Sequence, residues 1–294
     1  MKNIILVTGG AGFLGSNLIE KLLEYKKFQI ISLDNYSSGK ISNHIKHSKV
    51  RYIIGDTRNA EILLKNYRNK ITTIFHFGEF SRIFQSFKKV KECFSSNIEG
   101  TINLFNFALK NKIKIIYSAT SASLGNKGKD SNLSPYAFTK AKNLELLINL
   151  KKWFNFKYEI IYFYNVYGPK QICKGDMATV MGIFEDHLKN KKKLPVVMPG
   201  TQTRNFTHVA DTINACILAW KKNKNRQYSI ASDKSYSIIE LAKFFKTQIK
   251  YIPARKGERY VSDLSEVNFN NPIIKLRAKI KIRDYINQFL MNNA

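Results

Sequence analysis

The chain has 294 residues, 44% of them hydrophobic, which is enough for a large α/β unit with a smaller lobe and excludes global disorder. Its 49 Lys and Arg against 21 Asp and Glu give a net charge of +28, but the basic residues are dispersed; this argues against nucleic-acid binding and leaves a general pull on anions. Cys93, Cys173 and Cys216 stand far apart without metal-ligand spacing, so neither a metal site nor a disulfide framework is expected, and no apolar run is long enough to span a bilayer.

Ile4–Val7 reads as an apolar strand entered directly, without the features of a signal peptide, so a cytoplasmic protein with no membrane partner is expected. Thr8-Gly9-Gly10-Ala11-Gly12-Phe13-Leu14-Gly15 then follows a strand and opens a helix that runs to about Tyr25. Glycines at this spacing permit a tight turn and a close approach of backbone N–H groups to a pyrophosphate, which the helix N-terminus stabilises. Gln29–Leu33 is the second predicted strand, and Asp34 at its end lies about twenty residues past the last glycine, where an acidic ligand of a ribose is expected. A carboxylate there favours NAD over NADP, because a 2′-phosphate would be repelled. Val50–Ile54 is the third strand and delivers Gly55-Asp56 to the adenine end.

A helix near Asn59–Tyr67 leads to a strand over Thr73–Phe77, and a long helix is predicted from about Phe87 to Lys110. Lys114–Ser118 is a strand followed by a Ser-rich stretch to Gly125, placed where open α/β sheets bind ligands. Pro135–Phe154 reads as a helix with Ser134 as N-cap and Pro135 in the first turn. Tyr136 and Lys140 share one face of it, and the positive helix end together with the Lys140 ammonium predicts a tyrosine lowered toward neutral pH, suited to acid–base work. Glu159–Tyr164 is the sixth strand. Apolar strands alternating with helices imply a doubly wound parallel sheet, an α/β Rossmann-type domain over residues 1–164. Residues 165–294 read mainly as a substrate lobe, with a segment near 205–250, including a strand at Gln227–Ile230, returning to the first domain.

Together these motifs resemble the extended short-chain dehydrogenase/reductase family, in its NAD-dependent nucleotide-sugar epimerase/dehydratase branch. The resemblance continues through Phe75-His76-Phe77-Gly78, Asn97-Ile98-Glu99-Gly100-Thr101, Tyr164-Asn165-Val166-Tyr167-Gly168-Pro169, the stretch Gly200–Asp211 and Arg255–Glu258. It implies catalysis by Thr120, Tyr136 and Lys140. It implies NAD held by Gly9, Gly12, Phe13, Leu14, Gly15, Asp34, Asn35, Asp56, Thr57, Phe77 and Asn97, together with Tyr136 and Lys140. It further implies a nucleotide-sugar substrate held by Thr120, Asn165, Arg204 and Arg255, with Glu258 on a ribose. Arginine forks suit a diphosphate in a chain otherwise rich in lysine.

Some residues depart from the branch. Ser121-Ala122 stand where dehydratases carry Asp-Glu, which argues against 4,6-dehydration, and the segment from Thr120 to Tyr136 is short, opening one wall of the sugar pocket. Glu79 and Arg82 occupy a stretch that is often small and apolar; they read either as a surface ion pair or, for Glu79, as a polar contact to a distinctive sugar group. The resemblance implies a 4-epimerase acting through a transient 4-keto sugar. The alternatives are a C4 dehydrogenase or reductase using the same residues, an ADP-heptose 6-epimerase-like enzyme, and a non-catalytic nucleotide-binding module, against which Thr120, Tyr136 and Lys140 together argue. It also implies a homodimer, and the broad apolar surfaces of the long helix (Phe105) and of Pro135–Phe154 (Leu147) read as its interface.

Overall fold

The protein is described here from a computed structural model, which describes residues 3–124, 132–255 and 273–293. The described residues form thirteen strands: β1 Ile4–Thr8, β2 Gln29–Asp34, β3 Val50–Ile54, β4 Ile71–His76, β5 Lys114–Thr120, β6 Tyr158–Phe163, β7 Asn165–Tyr167, β8 Leu194–Val197, β9 Thr203–His208, β10 Gln227–Ala231, β11 Ser235–Ser237, β12 Ile249–Ile252 and β13 Ile273–Arg277. Eight of them make one sheet in the order β13-β10-β6-β5-β4-β1-β2-β3. Every neighbouring pair in it is parallel.

The chain winds outward from β1 through β2 to β3, then returns past β1 to β4 and winds the other way. That reversal opens a crevice at the carboxyl ends of β1 and β4, the place where such sheets take ligands. Side chains alternate across the sheet, so each central strand feeds two cores. Ile4, Leu6, Ile31, Leu33 and Ile74 pack with Leu104, Phe105, Leu144 and Leu147 on one face. Ile5, Val7, Ile30 and Phe75 pack with Leu18, Leu22, Ile213 and Cys216 on the other. A third core, built on Tyr167, Phe184, Val196, Phe206, Leu241 and Ile286, belongs to the smaller lobe. There β9 joins β7 in parallel and β11 antiparallel, and β8 pairs with β12. The Gln227–Ala231 strand sits in the large sheet beside β6, and β13, which the sequence pattern does not announce, forms the edge beyond it.

The helix expected over 87–110 is not continuous. Ile83–Lys88 and Val90–Phe94 are separate helices, Ser95–Glu99 is a π-turn, and Gly100–Lys110 resumes the α-helix. The wide turn points Asn97 inward, where its amide pairs with both main-chain groups of Phe80. The Pro135–Phe154 helix starts as its sequence suggests: the Ser134 hydroxyl accepts from Ala137 N at 3.1 Å and Pro135 fills the first turn.

Two residues read above as part of a dimer face, Phe105 and Leu147, are covered within the single chain. Phe105 is 1% and Leu147 0% exposed within the single chain, because the Gly100–Lys110 and Pro135–Phe154 helices also pack on each other beside the sheet. The three cysteines are free. Among the described residues no His, Cys, Asp and Glu cluster is fit for a metal, and no helix is long and apolar enough to cross a membrane.

Candidate active site

A cavity of about 470 Å³ runs from the glycine turn across the ends of β4 and β5 into the smaller lobe. At its first end Gly9 takes φ +68°, and a Cβ there would lie 2.8 Å from Gly78 N. A Cβ on Gly15 would lie 2.1 Å from Gly9 O. Only glycine lets the turn close this tightly over the start of the Phe13–Leu22 helix, whose N-cap, Gly12, offers no side chain to compete for the first N–H groups. Phe13, Leu14 and Phe77 line the same end.

Asp34 ends β2 at the floor of the cavity. Its Oδ2 accepts from Ala11 N at 2.9 Å and its Oδ1 from Tyr36 N at 2.8 Å. Burial pushes this carboxyl above its usual pKa, and the two N–H bonds oppose the rise. Each oxygen keeps a second lone pair for a ribose hydroxyl. Asn35 donates to Asp56 Oδ2 at 2.8 Å, and Asp56 Oδ1 accepts from Arg58 N at 2.9 Å, forming a polar wall beyond Asp34. Thr57 lines the cavity and backs onto Gly100, where a Cβ would meet its Oγ1 at 2.4 Å. This end fits a dinucleotide with an unphosphorylated ribose. Titration of the apo-protein should show NAD binding more tightly than NADP by roughly tenfold or more, and Asp34→Asn should narrow the gap. Equal or tighter NADP binding would remove Asp34 from this role.

Thr120, Tyr136 and Lys140 meet in the middle of the cavity. The last turn of β5 brings Thr120 to the start of the Pro135–Phe154 helix, and its hydroxyl hydrogen-bonds the Tyr136 phenol. Ser86 Oγ accepts from Tyr136 N at 3.2 Å and anchors the helix start, a contact the sequence does not signal. The expected lowering of Tyr136 is not found. Burial, with Glu79 adding to it, pushes Tyr136 up to about 12, against the pull of the Thr120 hydrogen bond and the Arg82 charge.

Glu79 adds to this rise from a buried ion pair. Its side chain is only 3% exposed and its carboxylate is ion-paired with the Lys140 ammonium. The same carboxylate accepts from Tyr117 Oη at 3.0 Å, Thr101 Oγ1 at 3.2 Å and Asn143 Nδ2 at 3.2 Å. Glu79 therefore borders the cavity while its carboxylate is engaged by protein groups. It does not pair with Arg82, whose Nε and guanidinium nitrogens donate to Met177 O at 2.9 and 2.6 Å and to Ser81 O at 2.9 Å, tying the lobe to the sheet. Behind Glu79 lies His76, pushed down to about 4 by burial and held between Thr8 Oγ1 at 2.7 Å and Thr101 Oγ1 at 2.9 Å. Asn97, expected on the cofactor, is fully buried; it donates to Thr139 Oγ1 at 3.0 Å and accepts from Asn143 Nδ2 on its main-chain oxygen at 2.6 Å, so it braces the Tyr136 helix from behind.

At the far end Asn165 Nδ2 donates to Asn205 O at 3.1 Å across the β7–β9 pair. Arg204, on β9, donates to Thr203 O at 2.8 Å and lines the cavity. Arg255 reaches the same cavity with its guanidinium 5.4 Å from the centre of the Phe84 ring. Glu258 and residues 125–131 of the shortened segment between Thr120 and Tyr136 lie outside the described residues.

The sequence model of the NAD dependent epimerase/dehydratase family matches residues 5–231. A Methanocaldococcus jannaschii protein provisionally assigned as a UDP-glucose 4-epimerase is 30% identical, over 87% of this chain and 88% of its own. UDP-glucuronic acid decarboxylase 3 of Arabidopsis thaliana is 26% identical over 95% and 87% of the two chains. Among solved structures, a UDP-N-acetylglucosamine 4-epimerase from Methanobrevibacter ruminantium M1, in complex with UDP-N-acetylmuramic acid, superposes with a TM-score of 0.83 at 25% identity, over 99% and 97% of the chains.

Proposed function

Because the chain belongs to the NAD-dependent epimerase/dehydratase family, with NAD as its cofactor, we propose that it is a nucleotide-sugar 4-epimerase acting through a transient 4-keto sugar. The observation that carries this reading is the meeting of Thr120 and Tyr136 in one cavity with the glycine turn, with Ser121 and Ala122 rather than carboxylates following Thr120. An enzyme that expels water from the sugar needs an acid beside the reacting hydroxyl, whereas one that only inverts a carbinol needs a reversible proton acceptor.

NAD, when bound, supplies the reversible two-electron oxidation of the sugar alcohol. The protein's part is proton handling and placement. Tyr136, as the phenolate, takes the proton of the substrate hydroxyl on Oη as that carbon becomes a ketone, and returns it after the sugar has turned. Thr120 Oγ1 holds the same oxygen. Burial leaves little water to compete at this point, and Tyr136 is 9% exposed. Arg204 and Arg255 clamp the diphosphate, so the nucleotide stays fixed while the sugar rotates.

The test is the mass and proton NMR spectrum of the product after incubation with a panel of UDP-, GDP- and ADP-sugars. Unchanged mass with one inverted stereocentre is the expected result. A change of two mass units would make the protein a net oxidoreductase using the same residues, and loss of water would make it a dehydratase.

A further inference from the structure

We propose that Glu79 is a positioning residue of the active site: its carboxylate holds the Lys140 ammonium at the end of β5 and keeps it charged there. The argument starts from valence. An ammonium has three N–H donors. Lys140 Nζ gives one to the Glu79 carboxylate and one to Ser118 O, and it stands 4.2 Å from the centre of the Tyr117 ring, the face that attracts a cation. Three contacts fix the nitrogen in direction as well as in place.

A lone ammonium would not persist at this depth. Lys140 and Glu79 are 4% and 3% exposed at their side chains, and burial alone drives a lysine toward its neutral form. Burial is the main influence lowering Lys140, and Glu79 is the largest influence opposing it. Glu79 is held in turn by Tyr117, Thr101 and Asn143, one from β5 and one from each neighbouring helix, so its oxygens have little freedom to turn away.

The titratable and charged groups around the pair are few. His76 approaches Glu79 at 4.0 Å from β4, Tyr117 stands on β5, Tyr136 shares the helix of Lys140, Arg82 bears on Tyr136 across the cavity, and Cys93 faces the pair from the Val90–Phe94 helix. His76 is held neutral and burial pushes Cys93 up to about 11, so neither replaces Glu79 as the partner of Lys140 at ordinary pH. By the family resemblance, the stretch that includes Glu79 is often small and apolar. The proposal rests on the reading of Lys140 as part of the catalytic set.

The decisive measurement uses the substrate-free full chain. The 13C-labelled lysine methylene signal of Lys140, assigned by its loss in Lys140→Met, is titrated in the parent protein and in Glu79→Gln. Lys140 should release its proton about one pH unit or more lower in Glu79→Gln. An unchanged midpoint would overturn the proposal. In an enzyme assay the alkaline limb of the kcat profile should move in the same direction, whereas a rise in KM with an unmoved limb would return Glu79 to the sugar. If Glu79→Gln fails to fold, denaturant unfolding of Lys140→Met and of the Glu79→Gln/Lys140→Met pair decides. A pair that folds where Glu79→Gln alone does not supports a coupled ion pair, and a pair that fails to fold beside a folded Lys140→Met removes it. Failure of every sugar in the product assay would overturn the proposed reaction and leave the lysine titration standing.

Discussion

Tyr136→Phe should lower turnover by about two to four orders of magnitude while leaving nucleotide-sugar affinity nearly unchanged. The substitution removes one oxygen from a packed site and leaves the ring. The supports of the helix start do not involve that oxygen: Ser134 Oγ accepts from Ala137 N, and Ser86 Oγ accepts from the Tyr136 main chain. What disappears is the proton acceptor and the partner of the Thr120 hydroxyl. In the parent protein burial raises the tyrosine to about 12, so the phenolate is scarce at neutral pH and the rate should climb as pH rises. The variant should lose this dependence along with its activity. Arg204→Ala should do the opposite, weakening binding more than the chemical step, because Arg204 lines the cavity from β9 and is not one of the groups that handle the proton. Steady-state rates and calorimetry separate the two. Near-parental turnover by Tyr136→Phe would end the acid–base assignment.

Tyr136 also marks where sequence reasoning stops. The glycine turn, Asp34 after the next strand, and the four-residue step from Tyr136 to Lys140 are local patterns, and local spacing fixes their local geometry. The same holds for the Ser134 cap and for the parallel sheet, whose strands carry continuous apolar runs. The acidity predicted for Tyr136 has the wrong sign because burial, the largest influence on it, is set by packing that local spacing does not announce, and because the partner of Lys140 lies 61 residues away, at the end of another strand. A glutamate after a strand says nothing by itself about whether its carboxylate turns outward to a sugar or inward to a lysine. Here Thr101, Tyr117 and Asn143 supply the inward donors, each from a different element. The π-turn at Ser95–Glu99 was hidden for a similar reason. Its residues keep a helical apolar rhythm, and the extra residue is accommodated because Asn97 satisfies Phe80 and Thr139 in the interior.

The remaining prediction concerns the two helices that read as a subunit interface. Phe105→Asp and Leu147→Asp should abolish cooperative folding rather than dissociate a folded dimer. Removing either apolar side chain from a fully buried position costs about 2–5 kcal/mol in transfer and cavity terms. The new carboxylate then sits among Tyr117, Leu144 and Phe156 with no cation to pair with in that cluster, which adds several kcal/mol more or forces the core to open. A typical domain is stable by about 5–15 kcal/mol, so either change consumes most of the margin. Ile102 is the informative control. It lies on the Gly100–Lys110 helix but is 45% exposed, and an aspartate there should change stability by only about 0.5 kcal/mol. A two-fold association through these helices, as the family resemblance implies, has to use the outer surface on which Ile102 lies. Sedimentation of Ile102→Asp at micromolar concentration therefore reports on assembly, and thermal melts of Phe105→Asp and Leu147→Asp report on the core. A cooperative, near-parental melt from either core variant would show that the helix packing described above is wrong, because no folded chain with that packing can hide the added charge.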